Sequence, residues 1–230
     1  MRREAQAGND KVLSYGDNLL RRGDVELLQG PHWLNDQIIT FYFDYLRLER
    51  FAKEHDDVLF VGGAMTFLLN QPAGTGALSD IVAPLELASR KLVLFAVNNN
   101  PDCSMAEGGS HWSLLVYSQT HDRFHHYDSS PGSNNLLVAR QLSVAVRPFL
   151  GHSSQDSKVH AAFTPTQTNA YDCGMYVLAC AELIVEQWTQ NCGDEATESA
   201  VRRQLMPHFI TDKRLQLLSL IEAKADELRH

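Results

Sequence analysis

Cys173 is the residue of this chain that is best placed to act as a nucleophile. It stands in the segment QTNAYDCGMYV and opens an apolar stretch, residues 173–190, whose composition predicts a core helix. A thiol at the N-terminus of a helix lies near free N–H groups and the positive end of the helix dipole, which stabilise the reactive thiolate. The position also fits a small buried apolar side chain, so this cysteine alone leaves both interpretations open.

A histidine and an aspartate stand where a general base and its orienting carboxylate would be needed. His111 opens the apolar segment HWSLLVYS after a Gly-Gly loop, and Asp128 closes the next segment, RFHHYD. The short connection between the segments predicts an antiparallel hairpin. The start of one hairpin strand lies beside the end of the other, so the two side chains are predicted to meet. Taken singly, His111 also fits a packed histidine, and Asp128 fits a cap of the SSPGS turn that follows.

Gln167 adds a side-chain amide shortly before the cysteine. Such an amide can donate to the oxyanion that forms when a thiolate attacks a carbonyl, an interaction typically worth ~2.7–4 kcal/mol. On its own, Gln167 fits an ordinary solvated loop residue. Nucleophile, base, orienter and oxyanion donor together favour nucleophilic catalysis at a carbonyl.

The elements that must position these residues predict an α+β or mixed α/β fold, because helices come first, then strands, then helices. Helices are predicted over residues 33–51, 64–70, 134–147, 173–190 and 211–227, and strands over 58–61, 91–97, 111–118, 123–128 and 159–164. Thr211 or Asp212 is the predicted N-cap of the last helix. Residues 72–76 and 98–110 are predicted loops, and the second contains Cys103.

The composition excludes several classes of protein. With 230 residues, 44% hydrophobic and 21% charged, the chain is neither disordered nor too small for a core of its own. Its four cysteines form no C-x-x-C pair, which argues against a disulfide scaffold and a zinc site. The net charge of −8 argues against a nucleic-acid partner. No apolar run is long enough for a membrane span.

The chain is predicted to form one domain with a short tail. Residues 1–11 are polar and lack the apolar segment of a secretory signal, so we expect a flexible N-terminal tail. Residues 12–230 are expected to form a single domain that acts as a monomer. Reduced thiols are typical of a cytoplasmic or nuclear protein.

Four segments resemble the Ulp/sentrin-specific family of ubiquitin-like-modifier proteases. They are WLNDQII from Trp33, GGSHWSLLVY ending at Tyr117, FHHYDS from Phe124 and QTNAYDCGMYV from Gln167. The similarity covers roughly residues 12–224. The opening VLSYGDNLLRRGDVELL and the words HWSLLVY and YDCGMYV are most similar to the deneddylase branch, which acts on the neddylation modifier.

This resemblance implies a papain-like cysteine protease fold of the Ulp type, with a central mixed sheet packed by helices. It implies that Cys173 is the nucleophile and that His111 is the general base and then the acid. Asp128 would orient the imidazole, and Gln167 would donate to the oxyanion. The implied reaction passes through a thioester with the modifier's C-terminal glycine and needs no metal and no cofactor.

The resemblance also implies binding residues for the modifier's tail. Trp33 and Trp112 would flank and roof a channel for the Gly-Gly tail, since only a residue without a side chain passes under an indole. Trp112 also fits a core aromatic on a strand, but its position directly after His111 favours the channel. Asp36 resembles a residue that contacts the tail, where it could bind an arginine, and helix capping is an equally good account.

Other functions remain open at this point. Within the same class the alternative is a SUMO-specific protease; outside it are a non-catalytic binder of a modifier tail and an acyltransferase. A metal site at His125, His126, Asp128 and His111 is disfavoured, because neighbouring strand residues point to opposite faces and the usual ligand pairs are absent.

Overall fold

The computed structural model describes residues 9–71, 75–100, 109–152 and 156–228. Cys103, most of its loop and most of the predicted tail lie outside these ranges. The strands are β1 (Lys11–Tyr15), β2 (Asn18–Arg21), β3 (Val58–Val61), β4 (Leu92–Asn98), β5 (Trp112–Ser118), β6 (Arg123–Tyr127) and β7 (Val159–Ala162). The α-helices are α1 (Arg22–Glu26), α2 (Asp36–Tyr45), α3 (Gly63–Leu69), α4 (Thr75–Val82), α5 (Asn135–Val146), α6 (Cys173–Thr189), α7 (Asp194–Gln204) and α8 (Pro207–Glu227). Single turns of 3₁₀-helix cover Ala52–Glu54, Ala83–Leu85, Leu87–Ser89 and Arg147–Phe149.

A mixed sheet of five strands forms the centre, in the order β3-β4-β5-β6-β7. The outer pairs, β3 with β4 and β6 with β7, are parallel, and the inner pairs are antiparallel. Both faces of β4 and β5 are buried: Leu94 and Leu114 pack with α2 and α6, while Phe95 and Leu115 pack with α3 and α5. The predicted α+β fold, with a mixed sheet packed by helices, is confirmed.

The predicted hairpin is formed by β5 and β6, with Leu114 opposite Tyr127 near its open end. Its connecting turn places Asp122 at a φ of 46°. Asp122 accepts two hydrogen bonds from the buried guanidinium of Arg147, at 2.5 and 2.7 Å. This ion pair fixes the closed end of the hairpin, while the open end carries His111 and Asp128.

The predicted core helix is confirmed as α6, whose residues from Cys173 to Ala181 are all buried. Gly174 in its first turn lies against Leu34, because a Cβ at this position would be 3.0 Å from the Leu34 Cβ. The glycine therefore lets the start of α6 pack closely against the segment that precedes α2.

Several predicted boundaries are wrong. The last helix begins at Pro207 rather than near Thr211, because proline at the first helical position is pre-organised for a helix start. Met206, not Thr211 or Asp212, is therefore its N-cap. α4 begins at Thr75, inside a predicted loop, and α2 passes at its end into a π-helical turn, Leu46–Arg50. The β1–β2 hairpin, α1 and α7 were not predicted.

Within the described ranges, no helix combines the length and the apolar character needed to span a bilayer.

Candidate active site

The predicted nucleophile, Cys173, is the first residue of α6. The segment before it, residues 167–172, is called the nucleophile loop below. Asn169 Oδ1 accepts the backbone N–H groups of Tyr171 and Asp172, at 3.0 and 2.9 Å, which folds the loop into a turn. The thiol thus lies at the positive end of the helix. It is only 1% exposed, so the cysteine is both buried and at a helix start.

The predicted base and its carboxylate are in direct contact. Nε2 of His111 lies 2.6 Å from Oδ1 of Asp128, and the same imidazole is hydrogen-bonded to Cys173. Burial of the ring favours its neutral form, but the hydrogen bonds and charges of Asp128 and Cys173 outweigh it and raise the pKa of His111 to about 9. The geometry thus favours an imidazolium between two acceptors.

Asp128 has two structural roles at once. Its Oδ1 accepts the backbone N–H of Ser130 at 2.8 Å, and its Oδ2 accepts the hydroxyl of Ser133 at 2.5 Å. Burial raises the pKa of the Asp128 carboxyl, but the hydrogen bonds from His111, Ser133 and Ser130 lower it further, so its pKa lies below the usual value. Turn capping and orientation of the histidine are therefore compatible in this residue.

Gln167 is half-buried and its amide is fixed by neighbours. The hydroxyl of Ser129 donates to Oε1 at 2.8 Å, and Nε2 donates to the carbonyl of Asn169 at 2.6 Å. The backbone N–H of Gln167 also donates to the Ser129 carbonyl at 2.8 Å. These bonds determine which end of the amide carries the N–H groups. The interpretation of Gln167 as a solvated loop residue is therefore wrong.

The two predicted tryptophans contact the segments that meet at Cys173. Trp112, next to His111, is 8% exposed, and its Nε1 donates to the carbonyl of Leu34 at 2.8 Å. A Cβ at Gly63 would lie 2.6 Å from its indole, so only glycine fits there. Trp33 is 47% exposed, and its Nε1 donates to the carbonyl of Ala170 in the nucleophile loop.

Asp36 is the first residue of α2, but the cap is Asn35, whose side chain accepts the N–H of Ile38 at 3.1 Å. Burial raises the pKa of the Asp36 carboxyl, and hydrogen bonds from the N–H groups of Asp36 and Gln37 oppose that rise. A Cβ on Gly63 would lie 3.6 Å from the Asp36 Cβ. Asp36 therefore borders the glycine against which the Trp112 indole packs.

A buried polar network behind His111 was not predicted from the sequence. Asn135 Nδ2 donates to Ser113 Oγ at 2.9 Å and to the carbonyls of Val97 and His111 at 3.2 and 3.3 Å. His126 Nε2 lies 2.8 Å from the same serine hydroxyl, and burial lowers the pKa of this histidine to about 4. In the sequence, Asn135 carries no signal beyond that of a residue near a helix start.

His125 and His126 point to opposite faces of β6, as predicted. The ring of His125 lies 5.9 Å from that of His160, and its Nε2 lies 3.9 Å from Asp194. In the part of the chain that the structure describes, no group of three or more His, Cys, Asp or Glu side chains is arranged to hold a metal ion.

Comparison with protein families gives a match over residues 32–209 to the C-terminal catalytic domain of the Ulp1 protease family. The matched range covers most of the chain and includes all seven predicted site residues. The chain belongs to the Ulp1 protease family. This Ulp1-family member is a cysteine protease.

Two relatives of this Ulp1-family protease are similar to it over nearly their full length. Human sentrin-specific protease 8 is 38% identical over 214 residues, which cover 93% of this chain and 97% of the relative. NEDD8-specific protease 1 of Arabidopsis thaliana is 36% identical over 223 residues, which cover 95% and 96%. The solved structure of the C-terminal Ulp1 protease domain in complex with Smt3, the yeast ortholog of SUMO, superposes with a TM-score of 0.66. It is 18% identical and covers 94% of this chain and 89% of that one, which shows a shared fold.

Proposed function

We propose that this Ulp1-family protease cleaves the bond after the C-terminal Gly-Gly of NEDD8, in precursors and in conjugates to lysine. The observation that carries the catalytic part is the imidazole of His111, hydrogen-bonded both to Asp128 and to the thiol at the start of α6. That arrangement supplies the nucleophile, the proton carrier and the orienting carboxylate of a cysteine protease.

In the first half of the proposed reaction, the thiolate of Cys173 attacks the carbonyl carbon of the modifier's last glycine. The carbonyl oxygen becomes an oxyanion, and we assign its donor to the second N–H of the Gln167 amide. The imidazolium of His111 then gives its proton to the leaving amine, the C–N bond breaks, and a thioester with Cys173 remains.

In the second half, water hydrolyses the thioester. Neutral His111 takes a proton from the water as it attacks the thioester carbonyl, and the carbon–sulfur bond breaks. The products are the modifier's free carboxylic acid, which loses its proton to solvent, and the Cys173 thiolate beside the reprotonated imidazole. Asp128 keeps the ring in one orientation throughout and favours its charged form.

Trp33, Trp112 and Asp36 are the proposed binding residues for the modifier's tail. The exposed Trp33 ring contacts the nucleophile loop, and Trp112 lies next to His111 in the chain. An indole on each side of the thiol would admit glycine and exclude residues with side chains. Asp36, beside Gly63, would bind a basic residue of the tail.

The relatives support NEDD8 as the modifier. A protease named NEDD8-specific is 36% identical over almost its whole length, whereas the Ulp1 domain bound to a SUMO ortholog is 18% identical and shares the fold. We propose that residues 12–230 form the single catalytic domain, that it acts as a monomer, and that its partners are NEDD8 and NEDD8 conjugates. The reaction as proposed uses protein groups and water alone.

A panel of modifier probes tests this function. Each probe carries an electrophile in place of the last glycine carbonyl and is built on NEDD8, SUMO or ubiquitin. We expect the NEDD8 probe to label Cys173 covalently, as shown by peptide mass spectrometry. Labelling by the SUMO probe alone would show a SUMO-specific protease. Tight binding of NEDD8 without labelling or hydrolysis would show a non-catalytic binder.

A further inference from the structure

We infer that Arg214, on α8, is a positioning residue that holds the nucleophile loop and the tryptophan segment in a fixed position relative to each other. The tryptophan segment is defined as residues 27–34, which end next to α2. The guanidinium of Arg214 donates to Oδ1 of Asp172 from Nη2 at 2.7 Å and from Nε at 3.1 Å. Both residues of this ion pair are buried, with exposures of 7% and 6%. Asp172 directly precedes Cys173.

The same guanidinium also binds the tryptophan segment. Nη1 donates to the carbonyl of Leu27 at 2.8 Å, and Nη2 donates to the carbonyl of His32 at 3.3 Å. The next residue, Trp33, donates back to Ala170 in the nucleophile loop. One side chain thus connects the loop that presents the thiol with the segment that carries the exposed indole.

The carboxylate of Asp172 connects Arg214 to the rest of the nucleophile loop. Its Oδ2 accepts a hydrogen bond from Asn169 Nδ2 at 2.7 Å, and Asn169 Oδ1 in turn accepts the N–H groups of Tyr171 and Asp172. Hydrogen bonds to both its side chains and its backbone therefore stabilise the turn before Cys173. The Arg214 guanidinium also lies 5.6 Å from the centre of the Tyr171 ring.

Arginine suits this place for a geometric reason. Its planar group has five N–H donors, so one side chain can reach a carboxylate and two carbonyls in different directions. A lysine has a single ammonium centre on a flexible stem and would bind Asp172 without reaching both carbonyls. Arg214 lies beyond the residues matched by the family model, which end at 209.

This role rests on the proposed function, because it assumes that Cys173 is the nucleophile. Without Arg214, the buried carboxylate of Asp172, one residue before the thiolate, would lack its counter-ion, which disfavours a second negative charge nearby. The tryptophan segment would also lose two hydrogen bonds and shift relative to the thiol. We therefore expect loss of Arg214 to slow the reaction of Cys173 and to weaken binding of the tail.

The test compares Arg214→Met with Arg147→Met, which removes another buried arginine that pairs with an aspartate, at the closed end of the hairpin. Two rates are measured at neutral pH on the folded proteins: alkylation of Cys173 by iodoacetamide, and hydrolysis of a NEDD8 C-terminal reporter. For Arg214→Met we expect kcat/KM to fall by at least about tenfold and Cys173 to be alkylated more slowly than in the wild type. For Arg147→Met we expect both rates to stay within about twofold of wild type. Alkylation of the buried Cys180 in the same helix monitors general loosening.

Arg214→Lys keeps a buried charge and extends the test to a variant that is easier to fold. Its ammonium should restore the alkylation rate of Cys173 through Asp172 but leave KM for the reporter raised, because both carbonyls cannot be reached. If Arg214→Met and Arg147→Met lose alkylation rate and kcat/KM to the same extent, the inference is overturned. A wild-type KM in Arg214→Lys would also overturn it. If instead the wild-type Cys173 is not alkylated faster than Cys180, the proposed nucleophile itself is wrong.

Discussion

Asp128 and Ser129 are neighbours at the end of β6, and each fixes a different member of the candidate site. Asp128 accepts the hydrogen bond of the His111 ring at 2.6 Å, and the Ser129 hydroxyl donates to Gln167 at 2.8 Å. One strand end therefore orients both His111, the proposed proton carrier, and Gln167, the proposed oxyanion donor. The position of His111 relative to Gln167 thus depends on two adjacent residues rather than on two separate loops.

The first prediction concerns the orientation of Gln167. Gln167→Ala should lower kcat by about 10²–10³, the usual cost of removing one oxyanion donor. Ser129→Ala keeps the amide but frees it to rotate, so kcat should fall by a smaller factor, about tenfold. Reporter kinetics under saturation measure both. Ser130→Ala is the matched control, since Ser130 contacts Asp128 through its backbone. Equal kcat values for Ser129→Ala and Ser130→Ala would contradict the assignment.

The pH dependence of hydrolysis should report His111. With a pKa of about 9, the ring stays protonated through neutral pH and loses its proton above that value. We therefore expect kcat/KM to fall as the pH rises through about 9, because the leaving amine then lacks its proton donor. Asp128→Asn removes the charge that favours the imidazolium, so the fall should begin at lower pH. A pH–rate profile that is unchanged in Asp128→Asn would be inconsistent with this pairing.

Gly63 should be essential for the position of Trp112. An added methyl group would lie 2.6 Å from the indole, closer than carbon atoms approach, so the ring must move. Such overpacking costs about 1–3 kcal/mol in the free energy of unfolding. We also expect Gly63→Ala to lower kcat/KM by roughly tenfold, through the displaced indole. At Gly193 a Cβ would meet nothing within 4 Å, so Gly193→Ala should retain wild-type kinetics. Wild-type kinetics for Gly63→Ala would refute the role of Trp112.

Acid should destabilise the protein through His126. Burial lowers the pKa of this ring from 6.5 to about 4, so between these values the unfolded chain binds a proton that the folded chain does not. The free energy of unfolding therefore falls as the pH falls through this window. The total loss is about 3 kcal/mol once the ring is protonated in both the folded and the unfolded state. His126→Gln should remove that part of the pH dependence, as measured by urea unfolding at neutral and acid pH. His121→Gln, an exposed change in the same hairpin, should keep the wild-type slope; parallel slopes for all three proteins would disprove the account.

The sequence could predict the site residues that lie at the start or the end of a helix or strand. Cys173 opens an apolar helix, and the hairpin brings together the start of β5 and the end of β6, so His111 and Asp128 could be placed before any contact was known. Gln167 was found by its amide and its proximity to the cysteine. The mixed sheet and its helical packing followed from the resemblance of four segments to a known family.

The supporting residues could not be predicted in this way. Arg214 contacts Asp172, Leu27 and His32, which lie 42, 187 and 182 residues away from it in the sequence, so its role depends on tertiary packing alone. Asn135, at the start of α5, donates to the carbonyl of His111, and nothing in its local sequence indicates that contact. The start of α8 at Pro207 was missed because Thr211, a good capping residue, lies in the helix and donates to the Pro207 carbonyl.

The most direct test of the central claim is hydrolysis of a NEDD8 C-terminal reporter by Cys173→Ala, with NEDD8 binding measured on the same preparation. We expect hydrolysis to fall by more than about 10³-fold while the Kd for NEDD8 stays within about threefold of wild type. Cys180→Ala, which changes a buried thiol in the same helix, should hydrolyse the reporter at close to the wild-type rate. Full hydrolysis by Cys173→Ala would contradict the assignment of this thiol as the nucleophile.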